Sequence, residues 1–264
     1  MRTTRSITLG TSARKQPLPY NSPVSKAPFL SLIIPAYNEE KRLLDTLQKI
    51  SDFLKAQPYS SEVLIVENGS SDRTFQVAQT FSKKLKNFSV QRTARRGKGL
   101  AVRQGMLAAQ GEYRMMMDAD LSMPVDQIGR FIPPALKGAD IVIASREAPG
   151  SVRYNEPEYR HIGGRVINTM IRLLALPDLQ DTQCGFKCFR GEVAEDLFGK
   201  QTLTSWAFDV EILYIAKLHG YSIVELPIPW YYSEQSHLRP VQDSLHMFCD
   251  LIRIRANARN GIYA

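Results

Sequence analysis

The sequence predicts an α/β protein built on a mostly parallel central sheet with helices on both faces. Short apolar runs recur between residues 29 and 144, and each leads through a polar loop into a segment with helical spacing. Strand and helix alternating in this way imply right-handed crossovers, which place successive strands parallel in one sheet. With 44% hydrophobic and 23% charged residues, the composition excludes collagen, low-complexity disorder and a short disulfide scaffold.

Residues 1–27 form a predicted flexible, basic N-terminal tail ahead of a single domain over residues 28–264. The tail contains too few apolar groups to offset the entropy cost of ordering the chain. It is either a solvated leader or a basic arm that contacts anionic lipid headgroups. The sequence shows neither a signal-peptide run nor an apolar span of about 18 residues, so we expect no membrane crossing.

Three strand–helix units open the domain. The apolar run 29–34 leads to Asn38, a predicted helix cap, with Glu39 and Glu40 in the first turn of a helix that continues to Lys55. Strand 63–66 and strand 88–92 each precede another helix. Strands at 113–117 and 140–144 follow, with a helix opening at Pro124 between them.

Beyond residue 150 this alternation stops. The sequence predicts a polar loop at 150–160, a helix at 161–175, an irregular segment around 178–190, a helix near 207–219, a strand at 221–226 and a terminal helix near 240–257. We expect this part to form a smaller lobe and the second wall of a cleft. The domain then consists of two halves, residues 28–149 and 150–264.

Each polar cluster of the first half follows the end of a predicted strand, where ligands bind in parallel α/β sheets. Asp118 and Asp120 place two carboxylates two residues apart, an arrangement that suits Mg²⁺ or Mn²⁺ shared with substrate phosphates. The alternative is a helix cap and turn before Pro124, because aspartate is common at both.

The other clusters also have two interpretations. Residues 35–40 offer the Tyr37 ring and polar groups to a base or ribose, or they form only a strand end and a cap. Residues 67–70 offer two acceptors and a tight glycine turn, or an ordinary loop. Residues 95–99 bring three cations to a helix N-terminus, which suits an anion, or form a solvated basic loop. The sequence lacks a Walker loop and a G-x-G-x-x-G motif, which removes the main support for ATPase and NAD-dependent chemistry.

The charge balance favours anionic partners. The chain has 34 Lys and Arg against 26 Asp and Glu, a net charge of +8. The sparse set of three cysteines indicates a reducing compartment, hence the cytoplasm, and Cys184 with Cys188 supplies too few ligands for structural zinc. No nucleic-acid motif accompanies the basic residues. Peripheral contact with anionic lipid at the inner face of the membrane is indicated by Arg239, Arg253, Arg255 and Arg259, which follow Trp230, Tyr231 and Tyr232. The alternative is a soluble charged helix.

Taken in order, these motifs resemble the nucleotide-sugar domain of family 2 glycosyltransferases with the GT-A fold. The matching segments are IIPAYNEE, VLIVENGSSDRT, RRGKGLAVRQGM, MMMDADLS and IVIASRE. The resemblance covers about residues 29–255 and implies a Rossmann-like GT-A sheet with a smaller acceptor-side lobe. DTQCGFKCFR, SWAFDVEIL and the segment from ELPIPW to DLIRIR are similar to the branch that transfers glucose or mannose to dolichyl phosphate.

The resemblance implies a role for each matching position. The nucleotide-sugar residues would be Pro35, Ala36, Tyr37, Glu39, Glu67, Lys98 and Asp118. Asp118 and Asp120 would hold the metal and meet the diphosphate, Arg146 and Arg160 would bind the acceptor phosphate, and Asp120 and Asp181 would be catalytic. Two motifs depart from the pattern. Glu67-Asn68 replaces the usual paired aspartates, and Ser122 stands where mannosyl relatives tend to have glutamine, which favours glucose.

The resemblance further implies an inverting, metal-dependent transfer of a hexose, glucose from UDP-glucose, to a polyprenyl or dolichyl phosphate at the cytoplasmic membrane face. A phosphate oxygen is already ionised at neutral pH, so the acceptor needs no strong general base. Lys98 or Arg146, together with the metal, would stabilise the leaving diphosphate. A GDP-mannose donor, a soluble glycan acceptor and a non-catalytic nucleotide- or membrane-binding module remain open as alternatives.

Overall fold

The computed structural model describes residues 27–135, 138–233 and 240–264. The strands in this part of the chain are β1 (Leu30–Ala36), β2 (Ser61–Glu67), β3 (Phe88–Arg92), β4 (Tyr113–Met116), β5 (Ile141–Ser145), β6 (Val152–Tyr154), β7 (Lys187–Arg190), β8 (Ile223–Pro227) and β9 (Pro229–Tyr231). Seven of them form one sheet in the order β3-β2-β1-β4-β7-β5-β8. All neighbours in this sheet are parallel except at β7, which runs antiparallel to both β4 and β5. Strands β6 and β9 make a separate parallel pair.

Helices cover both faces of the large sheet. The α-helices are α1 (Leu43–Lys55), α2 (Thr74–Ser82), α3 (Lys98–Ala108), α4 (Glu158–Leu174), α5 (Gly191–Lys200), α6 (Phe208–Leu218) and α7 (Pro240–Arg259). Strand β1 shows the layering, because Leu32 and Ile34 pack with α1 and α2 while Ile33 packs with α3 and α6. Each such fully buried aliphatic side chain contributes roughly 1.5–3 kcal/mol to folding.

The predicted strand–helix alternation up to residue 145 is confirmed, as is the mostly parallel sheet with helices on both faces. The irregular segment expected around 178–190 is wrong, because it contains β7 at the centre of the sheet. Lys187 and Arg190 bound this short strand, so it shows no apolar run in the sequence. Likewise, the loop expected at 150–160 contains β6, and the helix expected after Pro124 is a short 3-10 helix over Val125–Arg130.

The predicted cap at Asn38 is also wrong. Helix α1 begins at Leu43, so Glu39 and Glu40 precede it instead of forming its first turn. Asn38 adopts a φ of 54°, in the left-handed region that asparagine tolerates, and its Oδ1 accepts a hydrogen bond from the backbone N of Ser71 at 2.9 Å. The side chain therefore ties the loop after β1 to the loop after β2.

Two expectations fall outside the described residues. They are the basic tail up to residue 26 and the contribution of Arg239 to a lipid contact. In the part of the chain that the structure does describe, none of the helices combines the length and the apolar character needed to span a bilayer.

Candidate active site

The loops after β1 and β2 are joined at the carboxyl edge of the sheet. The backbone N of Asn38 donates to Ser70 Oγ at 3.0 Å, and the backbone N of Glu39 donates to Thr74 Oγ1 at 2.7 Å. Arg96, from the loop before α3, places its guanidinium 4.1 Å from the centroid of the Tyr37 ring. Three loops from three neighbouring elements thus meet around Tyr37, whose ring already stacks with a planar group, as it would with a nucleobase.

Glu67 and Asn68 hold two of these loops in place. The Glu67 carboxylate is fully buried and accepts hydrogen bonds from the backbone N of Ser70 and from Arg92 Nε, the latter at 2.6 Å. Burial alone would raise the pKa of Glu67, but these hydrogen bonds hold it below the ordinary value. Asn68 Oδ1 accepts from the backbone N of Gly97 at 2.7 Å, which fixes the start of α3. A direct contact of Glu67 with base or ribose stays a prediction.

Lys98, Asp118 and Asp120 form the charged centre of the site. Lys98 Nζ lies 2.6 Å from Asp118 Oδ1 and 4.9 Å from the centroid of the Trp206 ring. Asp120 Oδ1 accepts from the backbone N of Ser122 at 2.9 Å. Burial, followed by the negative charge of Asp118, raises the pKa of Asp120. Two carboxylates that repel each other in this way can act as metal ligands, because a bound cation offsets the repulsion between them.

These carboxylates suit a divalent metal whose coordination shell is completed by oxygen atoms of the substrate. No cluster of three or more His, Cys, Asp or Glu side chains suited to a metal occurs among the described residues. Mg²⁺ and Mn²⁺, however, are commonly held by one or two carboxylates together with phosphate oxygens and water. Asp118 and Asp120 supply that minimum, so the donor set suits a metal that binds together with a diphosphate.

Asp181 forms a buried ion pair with Arg146. It is fully buried and accepts from Arg146 Nε at 2.6 Å, from Nη2 at 2.9 Å and from the backbone N at 3.0 Å. Burial alone would raise the pKa of Asp181, but the Arg146 charge and hydrogen bonds bring it to about 2. The geometry therefore favours Asp181 as the anchor that orients Arg146 over Asp181 as a base at the reacting atoms.

Arg146 also belongs to a basic, aromatic surface made of Arg146, Arg153, Arg160, Trp230 and Tyr232. We call it the acceptor wall after the phosphate-binding role predicted for Arg146 and Arg160. The guanidinium carbons of Arg146 and Arg153 lie 5.5 and 6.0 Å from the Trp230 ring, and that of Arg160 lies 5.4 Å from the Tyr232 ring. Arg160 Nε is buried and has no hydrogen-bond partner among residues 27–135, 138–233 and 240–264. An unpaired buried N–H on a cation is costly, and an anion would satisfy it.

Asp118, from the charged centre, and Trp230, from the acceptor wall, line one small pocket. It is lined by Met117, Asp118, Ser122, Met123, Cys184, Gly185, Phe186 and Trp230. Gly185 packs so closely that a Cβ atom there would lie 1.9 Å from Asp118 Oδ2. The motif that contains Gly185 is recognisable in the sequence. The contact of Gly185 with Asp118 is not, because it depends on the position of β7 in the sheet.

The structure also locates three of the predicted nucleotide-binding residues. Pro35 is half-buried and Ala36 is buried within β1, and the Glu39 carboxylate pairs with Arg42.

The model of the family described as "Glycosyl transferase family 2" matches residues 31–198. The chain belongs to glycosyl transferase family 2. A dolichyl-phosphate beta-glucosyltransferase of Trichomonas vaginalis is 34% identical to it, over 89% of this chain and 75% of the relative. The human dolichyl-phosphate beta-glucosyltransferase is 31% identical, over 97% of this chain and 83% of the relative.

Among solved structures, glucosyl-3-phosphoglycerate synthase of Mycobacterium tuberculosis, crystallised with Mn²⁺, UDP and glucosyl-3-phosphoglycerate, superposes with a TM-score of 0.64. It is 19% identical, and the match covers 89% of this chain and 81% of that one. The predicted family and the GT-A fold are thereby confirmed. This family 2 glycosyltransferase is an enzyme, while the roles assigned to single site residues stay predictions.

The ion pair between Asp181 and Arg146 predicts a pH-dependent stability. Because the pKa of Asp181 is about 2 in the folded protein and about 3.9 in an unfolded chain, its contribution is complete above pH about 4 and is lost as pH falls toward 2. We expect the difference in unfolding free energy between the wild type and Asp181→Asn to shrink by about 2 kcal/mol over that range. Urea unfolding from pH 6 to pH 2 measures it. Asp45→Asn, at an exposed carboxylate of α1, is the control, and a pH-independent difference for Asp181→Asn would contradict the assignment.

Proposed function

We propose that this enzyme transfers glucose from UDP-glucose to a polyprenyl phosphate such as dolichyl phosphate, with inversion at the anomeric carbon. The observation that carries the proposal is the small pocket lined by both Asp118 and Trp230, in which a carboxylate of the predicted metal site adjoins the acceptor wall. The names of the curated relatives that match most of the chain support the donor sugar and the acceptor. Ser122 also lines the pocket. It stands where mannosyl members of the resembled branch tend to have glutamine, which supports glucose over mannose.

On the donor side, the leaving nucleoside diphosphate needs positive charge. A divalent cation, Mn²⁺ or Mg²⁺, held by Asp118 and Asp120 would act as a Lewis acid on the diphosphate oxygens. Lys98 supplies a second positive charge beside Asp118. Burial alone would lower the pKa of Lys98, but the charges of Asp118 and Asp209 raise it overall, so the ammonium stays protonated at neutral pH. A fixed cation in a partly dry site is the type of group that stabilises developing charge most effectively.

On the acceptor side, Arg146 and Arg160 bind the phosphate. Arg146 uses Nε and Nη2 on Asp181, and no hydrogen bond of its Nη1 is found within the described parts of the chain. Arg160 Nε is a buried donor for which the described residues supply no hydrogen-bond partner. The phosphate oxygen is ionised and attacks without a general base, consistent with the full engagement of Asp181 by Arg146. Attack opposite the diphosphate converts an α-linked donor into a β-linked product.

We extend the proposal to a peripheral contact with an anionic membrane on its cytoplasmic face. Helix α4 begins beside the acceptor wall and exposes an apolar row at a spacing of three and four residues. The row consists of Tyr159, Ile162 and Val166, with Leu173 two turns further along. Arg165 and Arg172 are exposed on the same helix. Apolar side chains flanked by cations fit the boundary between lipid headgroups and acyl chains, where the hydrocarbon chain of the acceptor would remain.

This contact predicts that the double variant Ile162→Asp/Val166→Asp binds vesicles of mixed neutral and anionic lipid at least about tenfold more weakly than the wild type. Both side chains are 65% exposed, so the fold should be unaffected. Co-sedimentation with the vesicles measures binding. Leu44→Asp is the matched control, because Leu44 is 56% exposed on α1, which packs on the other face of the sheet. Equal binding of both variants would contradict the assignment of α4 to the membrane.

The function itself is tested by a radiolabelled-sugar assay that crosses several nucleotide sugars with polyprenyl phosphates and soluble glycans in the presence of Mn²⁺. We expect UDP-glucose with dolichyl phosphate to give a lipid-linked, β-configured product that is absent with Asp118→Ala. Product from GDP-mannose alone, product on a soluble glycan alone, or donor binding without any transfer would each overturn the proposal.

A further inference from the structure

A buried ion pair lies behind the candidate active site and takes no direct part in the chemistry above. Lys187, in β7, and Asp209, in the first turn of α6, have side chains that are 1% and 3% exposed. Lys187 Nζ lies 2.5 Å from Asp209 Oδ1. Removing two charges from water costs several kcal/mol per ion, and a well-packed apolar pair is often at least as stable. The contacts that this pair makes with the site are therefore more informative than its contribution to stability.

The first contact runs from Lys187 to the turn that touches Asp118. Lys187 Nζ donates a second hydrogen bond, 2.6 Å long, to the backbone carbonyl of Cys184. The next residue is Gly185, which packs against the Asp118 carboxylate without room for a Cβ atom. The ammonium group of Lys187 thus holds the backbone turn against which the Asp118 side chain rests.

The second contact continues from Asp118 to Lys98. Lys98 Nζ lies 2.6 Å from Asp118 Oδ1, so the carboxylate that rests against Gly185 also holds the Lys98 ammonium. The buried pair therefore reaches both charged groups through the Cys184–Gly185 turn.

We propose that Lys187 and Asp209 are positioning residues for the transfer reaction, because their ion pair fixes the Cys184–Gly185 turn against Asp118, the ion-pair partner of Lys98. This inference rests on the proposed function. Neither side chain reaches donor or acceptor directly, since both are buried beneath the site. Losing the pair should weaken metal binding and slow the chemical step, while the KM for the lipid acceptor should stay unchanged.

The test is the double variant Lys187→Met/Asp209→Leu, which removes both charges and conserves much of the packing. We expect it to fold with a Tm near that of the wild type. Its affinity for Mn²⁺ in the presence of UDP, measured by calorimetry, should fall about 10–100-fold, and kcat should fall by the same order. Arg114→Met is the matched control. It removes a 5%-exposed cation from β4, where Arg114 pairs with Glu195, and should leave Mn²⁺ affinity and kcat unchanged even if it lowers Tm.

A folded double variant with wild-type Mn²⁺ affinity and kcat would overturn the inference. If the double variant does not fold, Asp209→Asn provides the same test, since it keeps the size of the side chain and a hydrogen-bond acceptor. Weakened Mn²⁺ affinity then supports the inference and wild-type affinity overturns it. Mn²⁺ binding is measured without acceptor, so it can be compared even if the wild type forms no lipid-linked glucose, the result that would instead refute the proposed function.

Discussion

Asp120→Asn is expected to lower kcat for glucosyl transfer by about 10³-fold while the protein stays folded. Asp120 is partly buried, and this burial, together with the negative charge of Asp118, raises its pKa. Asparagine keeps the shape but removes the negative charge that a divalent metal requires of its ligand. Steady-state kinetics with UDP-glucose and dolichyl phosphate, together with a Mn²⁺ titration, measure the effect.

The same substitution at a neighbouring carboxylate is the control for this prediction. Asp126 is exposed in the 3-10 helix, and Asp126→Asn should leave kcat unchanged. Asp181→Asn should slow the reaction less than Asp120→Asn, because an ionised phosphate acceptor needs no base and Asp181 acts only through Arg146. Equal or inverted losses at these two positions would contradict a phosphate acceptor.

Gly185→Ala is expected to reduce kcat by about 100-fold with little change in Tm. The added Cβ atom would lie 1.9 Å from Asp118 Oδ2 and 2.4 Å from its Cγ, so the carboxylate must move. Asp118 is partly exposed and can rotate away without disturbing the core, but it then leaves the position from which it faces Lys98. A displacement of about 1 Å at a reacting centre is enough for a loss of this size.

The matched control is Gly199→Ala, because a Cβ atom at position 199 would meet no described atom within 4 Å outside its own helix turn. Activity and thermal stability of both variants are compared under the same conditions. Wild-type kcat in Gly185→Ala would show that the position of the Asp118 carboxylate does not limit the reaction, and the assignment of Asp118 to the donor site would have to be abandoned.

The first half of the fold was predictable because its strands are continuous apolar runs, such as residues 30–34, that signal burial on both faces. Strand β7 was not, because a buried lysine interrupts the pattern and becomes acceptable only through Asp209, which is distant in sequence. The hydrophobic periodicity of a sequence indicates which residues are apolar, but it does not indicate which charged side chains pair with each other in the fold.

The site was predictable to a similar extent. Acidic and basic loops at strand ends indicated where a ligand binds, and the structure brings Tyr37, Lys98 and Asp118 into one connected set of loops. The anchoring of Arg146 by Asp181 could not be foreseen, since a carboxylate that pairs with arginine looks the same in sequence as one that meets substrate. The role of Asn68 in holding Gly97 depends equally on tertiary contact.

The antiparallel strand β7 has a consequence for any attempt to divide the enzyme. By sequence it comes late in the chain, yet it lies between β4 and β5 and hydrogen-bonds to both. A fragment truncated near residue 149 would lack β7 and would therefore expose unpaired edges of β4 and β5 in the middle of its sheet. Unpaired strand edges of this kind promote aggregation. We expect such a fragment to be insoluble by itself and to be rescued by co-expression with the missing piece, as in split-protein complementation.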